Sequence, residues 1–151
     1  MTISIEHAEA GDIDALVELL SILFSIEQDF VPNESAQRSG LQLLLASPDQ
    51  GTIFVARHTD AGIVGMVSAQ FVISTAMGAP SAWIEDMVVR ERFRGQGVGK
   101  ALLDKVKDWA MTRGAKRIQL LADADNVPAL DFYQHLGWQP TRLFAWKKIF
   151  G

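Results

Sequence analysis

Three groups in this 151-residue chain have the residue types and spacing to do chemistry. The first is Arg94-Gly95-Gln96-Gly97-Val98-Gly99-Lys100. It follows the apolar run Trp83-Ile84-Glu85-Asp86-Met87-Val88-Val89 and precedes a helical pattern with Val98, Leu102, Val106 and Trp109 on one stripe. Strand, glycine-rich loop, helix is an order that leaves main-chain N–H groups unpaired at a helix N-terminus, where the dipole favours negative charge. Glycines at alternate positions let that main chain approach an anion with no Cβ in the way. The loop reads as a phosphate cradle. A Walker-type loop is excluded, because it needs glycine where Arg94 stands and Ser or Thr where Ala101 stands. A dinucleotide fingerprint is excluded too, because Lys100 stands three residues after Gly97.

The second group is Asn126-Val127-Pro128-Ala129-Leu130-Asp131-Phe132-Tyr133-Gln134-His135-Leu136-Gly137-Trp138. Asn126 is a good N-cap, Pro128 sits in the first turn where its missing N–H costs little, and Gly137 suits a left-handed C-cap. Ala129, Phe132 and Leu136 recur on one buried face, which holds Tyr133 firmly beside it. Its phenol is protonated at neutral pH and can donate a proton, although taken alone it could equally just pack. The third group is the acidic pair Glu85 and Asp86. Strand alternation puts Glu85 on the face of Met87 and Val89 and Asp86 on the opposite face.

Together, Arg-x-x-Gly-x-Gly over 94–99 and Asn-x-x-Ala-x-x-Phe-Tyr-x-x-x-Gly-Trp over 126–138 resemble the two signatures of the GNAT superfamily of acetyltransferases. The resemblance is specific between about residues 83 and 138; elsewhere it rests on element order. It implies acetyl-CoA as co-substrate, with Arg94, Gly95, Gln96, Gly97, Val98, Gly99 and Lys100 around the pyrophosphate. Backbone groups of Met87, Val88 and Val89 would hydrogen-bond the pantetheine, in a gap where a bulge splays the strands 83–89 and 117–122 apart. Asn126 and Tyr133 would contact the CoA arm.

The resemblance also implies direct acetyl transfer to a primary amine in a ternary complex, Tyr133 acting as general acid toward the departing thiolate. An amine of pKa ~10.4 is only about 0.04% neutral at pH 7, so such an enzyme must favour the free base. The oxyanion that forms on attack needs N–H donors, for which residues 87–89 are placed. Glu-Asp at this offset resembles the polyamine and thialysine acetyltransferases of the superfamily, where the acidic pair is associated with the amine. Glu85 is accordingly the expected base, and Glu85 and Asp86 the expected acceptor-binding residues; a water relay without Glu85 is the alternative.

The elements that must position these groups can be read from periodicity. Residues 3–8 alternate as a strand. Gly11 or Asp12 can cap a helix carrying Ile13, Leu16, Val17, Leu20 and Phe24 on its apolar stripe. A loop over 28–33 leads to a second helix, 34–46, stopped by Ser47-Pro48. Strands over 52–58 and 63–74 flank a hairpin turn, 76–80 is a break, and a strand ends at Val89. The long helix covers 98–113 with Gly114 as its cap. A strand over 117–122, the Asn126 helix and a last strand over 143–148 complete the order. This order resembles the GNAT fold: an α/β (α+β) domain with a central mixed, largely antiparallel twisted sheet of six to seven strands flanked by four helices. A single domain over 1–151 is expected.

Composition narrows the partners. The net charge is −4 and the chain has no cysteine, which excludes disulfides and thiolate chemistry. Residues 90–100 nevertheless carry Arg90, Arg92, Arg94 and Lys100 against Glu91, suiting a small polyanion such as CoA. A pI near 5.3 without an extended basic stripe argues against nucleic acid. No apolar run approaches the ~20 residues of a membrane span, and the N-terminus shows no secretory pattern, so a soluble cytoplasmic protein is expected. His7, His58 and His135 are scattered without ligand spacing, so no metal is expected and they read as structural or surface residues. Asp123 and Asp125 read as turn caps. Glu27, Asp29 and Glu34 lie in the stretch that borders the acceptor site in this fold. The expected acceptor is a small-molecule amine: a polyamine, amino acid or amino sugar. A protein lysine or N-terminus, or a non-catalytic acyl-CoA-binding module, are the alternatives. The last apolar strand, with Trp146 and Phe150, could join a homodimer or finish the sheet.

Overall fold

The computed structural model describes residues 2–27 and 29–151; Gln28, inside the expected loop, lies outside the described residues. The chain divides into two compact parts, Met1–Leu120 and Leu121–Gly151.

The first part is a five-stranded sheet in sequence order. It comprises β1 (Ile3–His7), β2 (Gly51–His58), β3 (Gly62–Ser74), β4 (Ala79–Val89) and β5 (Arg117–Leu120). The pairs from β1 to β4 are antiparallel, and β5 runs parallel to β4 after the crossover through α3 (Val98–Thr112). Helices α1 (Ile13–Ile26) and α2 (Glu34–Leu45) connect β1 to β2. Their apolar residues Ile13, Leu16, Val17, Leu20 and Leu41 join one buried cluster with Ile53, Val55, Ile63, Met66 and Val88. Leu19, outside the stripe read from the sequence, is also fully buried, so α1 is apolar over more than one face.

Helix α3 covers the other face. Gly65 allows that approach, since a Cβ there would meet Leu102 Cδ1 at 3.3 Å and Val89 Cγ2 at 3.4 Å. Further along, the Phe71 and Trp109 rings stack with centroids 4.4 Å apart. Helices on both faces explain why residues 51–56 of β2 are all buried rather than alternating. The β2–β3 turn is closed by His58, whose Nδ1 accepts from the Asp60 and Ala61 N–H groups, each at 3.1 Å.

In the second part, α4 (Val127–His135) is capped as its sequence implies. Asn126 Oδ1 accepts from the Ala129 N–H at 3.3 Å, and the Trp138 N–H returns to the Tyr133 carbonyl at 3.0 Å across Gly137, whose φ is +92°. The expected strand over 143–148 is not formed, so the described sheet has five strands rather than six or seven. A strand exists only through the ladder it shares with a neighbour, and this segment's apolar pattern alone supplies none. Other boundaries moved less: β4 begins at Ala79 inside the expected break, and β5 stops at Leu120.

Candidate functional site

The loop after β4 is built from both ends. A turn of 3-10 helix over Glu91–Phe93 buries Phe93 and returns the chain toward α3. Gly95 and Gly97 then adopt φ of +74° and +85°, the left-handed region where a Cβ is strained. Gly97 is the N-cap of α3 and brings no side chain to satisfy the first turn, which holds no acid either. The Ala101 N–H bonds the Gly97 carbonyl at 3.0 Å, whereas the N–H groups of Gly95 through Lys100 meet no protein acceptor among the described residues. Six consecutive amide donors at a helix N-terminus make a nest for an anion. Gly99 is different: it lies inside the first turn of α3 and needs no special φ.

The cations around the loop divide their work in a way that the sequence could not show. Arg90 bonds the Ile63 carbonyl through Nε at 3.2 Å and Glu18 through Nη1 at 3.0 Å, tying β4 to β3 and α1. Lys100 Nζ lies 2.7 Å from Asp104 Oδ2, one helical turn on. Arg94 Nε donates to the Val89 carbonyl at 2.8 Å, which fastens the loop to the end of β4. Arg92 stacks over the Phe93 ring at 4.8 Å. Of the four, Arg92 and Arg94 have no carboxylate partner within 4 Å among the described residues.

Strand β4 pairs with β5 only from Ser81–Arg117 to Ile84–Leu120; from Glu85 to Val89 its ladder is with β3 alone. Just past the last β4–β5 pair the β3–β4 register shifts. Ala69 opposes Ile84 and Val67 opposes Met87, so Glu85 and Asp86 both stand against Ser68. Ile84 and Met87 therefore share a face although they are three residues apart. This corrects the strict alternation expected of Glu85: the bulge breaks it there, whereas Asp86 and Val88 still alternate regularly against Ser68 and Met66.

The two acids differ sharply. Glu85 is exposed and Asp86 partly buried. The Ser68 hydroxyl donates to Asp86 Oδ2 at 3.1 Å and accepts from the Asp86 N–H at 3.1 Å. Burial pushes the Asp86 carboxyl up to about 6; the negative charge of Glu85 adds to this, and the Ser68 hydrogen bond opposes it. Ser68, itself 1% exposed, is the residue that sequence reading passed over. Its only signal was a small hydroxyl amid the buried run of β3.

Glu85, Asp86, Met87, Val88, Val89 and residues 94–100 are thus brought together along β4 and the N-terminus of α3. Asn126 and Tyr133 share α4 in the second part; Asn126 Oδ1 serves the cap, and the Tyr133 ring sits between Phe132 and Trp138 at centroid distances of 5.3 and 5.6 Å. His7 and His58 take separate structural roles. His7 bonds Thr52 Oγ1 at 2.9 Å and stacks on Phe54, while His58 closes its turn against Phe93.

A family model described as the acetyltransferase (GNAT) family matches residues 14–138. An uncharacterized N-acetyltransferase of Methanocaldococcus jannaschii is 26% identical over 140 residues, 91% of this chain and 61% of that protein. The thialysine N-epsilon-acetyltransferase of Bos taurus is 34% identical over 77 residues, 51% of this chain and 45% of that one. This chain therefore spans about half to three fifths of the length of these relatives. Among solved structures, aminoglycoside N-acetyltransferase AAC(6')-Iy in complex with CoA shares the fold. Its TM-score is 0.81 at 20% identity, over 97% of this chain and 94% of that one.

Proposed function

The chain belongs to the GNAT acetyltransferase family, and from that premise we propose that it is an acetyl-CoA-dependent N-acetyltransferase acting on the primary amine of a small molecule. A polyamine, an amino acid and an amino sugar are the acceptor classes in this reading, and one catalytic domain spans the chain. The observation that carries it is the run of six N–H groups from Gly95 to Lys100 with no protein acceptor among the described residues, beside the stretch of β4 past the end of its ladder with β5. The open space around Gly95 and Gly97, where an added Cβ would meet nothing within 4 Å, suits a diphosphate approaching the main chain. Arg92 and Arg94 add charge of the right sign.

In this reading CoA supplies a thioester whose carbonyl the amine attacks. Main-chain groups of Met87, Val88 and Val89 align the pantetheine arm and offer N–H donors to the oxyanion. Glu85 and Asp86 hold the acceptor's cationic end and receive its proton, and Tyr133 protonates the departing thiolate. Transfer is direct: the chain has no cysteine, and no other nucleophile is called for. The similarity to a thialysine acetyltransferase supports an amine beside the acidic pair. The apolar side chains of Leu143, Phe144 and Trp146, each more than 80% exposed, support a homodimer in which a second copy pairs with this segment.

The direct test is release of free CoA thiol from acetyl-CoA in the presence of polyamines, amino acids and aminoglycosides. Turnover with one acceptor class is expected. No heat of binding with CoA or acetyl-CoA, together with no turnover on any amine, would refute the proposal.

A further inference from the structure

The reciprocal contact between Ser68 and Asp86 crosses the β4 bulge, just past the last β4–β5 pair. A serine hydroxyl has one proton and two lone pairs. Here the proton goes to Asp86 Oδ2 and one lone pair takes the Asp86 N–H, so side chain and main chain of the same residue are held by one oxygen. Asp86 Oδ1 receives no protein donor among the described residues. The fixed oxygen faces β3 and leaves the second oxygen of the carboxylate to other partners. Glu85 is exposed and makes no side-chain hydrogen bond or ion pair among the described residues, so it has no such restraint.

We infer that Ser68 is a positioning residue whose hydroxyl holds Asp86 at the bulge as the group that receives the acceptor's ammonium proton, Glu85 serving to attract the cation. This rests on the acetyl-transfer reading above. In the step, the N–H bond of the ammonium breaks and its proton passes to Asp86 Oδ1. The electron pair stays on nitrogen for attack on the thioester, and the carboxylic acid later returns the proton to solvent.

Electrostatics agree with the geometry. A carboxyl raised to about 6 is a better match to an amine than an ordinary aspartate and is still mostly ionised at pH 7. Glu85 is the charged neighbour that acts on it; no lysine, arginine or histidine of α1, α2, β3 or β5 contributes among the described residues. On the helices packed against that face, Asp14 is paired with Arg38 and Glu18 with Arg90, which leaves Glu34 at the exposed start of α2. Ser68 is therefore the restraint that keeps the Asp86 proton affinity from rising further.

Two readouts test this. Carboxyl carbon NMR follows the Asp86 titration directly, and the pH profile of kcat/KM follows its use. Removing a hydrogen bond to a charged group in Ser68→Ala should raise the Asp86 midpoint by about one pH unit. The acid limb of kcat/KM should move with it, about a fivefold loss at pH 6 and little change at pH 8. Ser68→Thr, which returns a hydroxyl, should restore both. An Asp86 midpoint unmoved by Ser68→Ala overturns the inference, and so does a midpoint that moves while the pH profile stays. A wild-type protein that acetylates no amine would instead remove the acetyl-transfer reading, and the NMR midpoint alone would then decide whether Ser68 controls Asp86.

Discussion

Replacing Gly97 by alanine separates the cost of the loop's conformation from its use. Gly97 has φ of +85° and ψ of +5°, and a Cβ built there meets nothing within 4 Å. The folded protein therefore suffers only left-handed strain, about 1–2 kcal/mol, which for a chain of this size lowers Tm by about 2–8 °C. A CoA diphosphate must come to the same open space to reach the amides, so the methyl group would displace at least one charge-assisted hydrogen bond. Such a bond is worth about 1.5–3 kcal/mol, a loss of about 10- to 150-fold in affinity. Gly78→Ala is the control. Gly78 has φ of +65° and equally open surroundings, but it sits in the β3–β4 turn away from the loop. Thermal unfolding and calorimetric titration with CoA should show similar Tm losses for the two variants and an affinity loss for Gly97→Ala alone. If Gly97→Ala binds CoA within threefold of the unmodified protein, or if Gly78→Ala weakens binding equally, the cradle is not where the phosphates lie.

Further outcomes follow from the same geometry. Tyr133→Phe should lower kcat by about 10²-fold or more while the CoA Kd stays nearly constant; equal loss of both would make the hydroxyl a binding contact. Asp86 binds its proton more tightly folded (about 6) than its ordinary value of 3.8, so its contribution lowers stability as pH rises from about 4 through about 6. Asp86→Asn should then gain up to about 3 kcal/mol relative to the unmodified protein at pH 8 and little at pH 4, measured by denaturant unfolding at both values. Burial, then the charges of Arg113 and Lys105, hold His7 below its ordinary 6.5, and Arg113→Gln should raise its midpoint in proton NMR. Trp146→Glu should shift a light-scattering mass toward the monomer if the 143–148 segment joins two copies.

The parts of this protein legible in the sequence are those with local causes. Positive φ at Gly95 and Gly97, the caps at Asn126 and Gly137, and the stripe of α3 each depend on neighbours within about one helical turn. They were therefore written in residue type and spacing, and with them came the strand–loop–helix order and the resemblance that the family match bears out. What stayed hidden depends on partners far along the chain. The resemblance implied a bulge, but its position at Glu85 is set by register against β3; the high proton affinity of Asp86 comes from burial beside Ser68, 18 residues away, and the engagement of Arg90 from Glu18, 72 residues away. The strand expected over 143–148 failed for the same reason: apolar side chains can favour an extended backbone, but only a neighbouring strand completes its hydrogen bonds. Residue order thus determined which groups could bind a phosphate or move a proton. The fold decided which carboxylate is drawn partly out of solvent, which cations are already engaged and where the β4–β5 ladder ends, because desolvation and register are set by contacts that spacing alone does not encode.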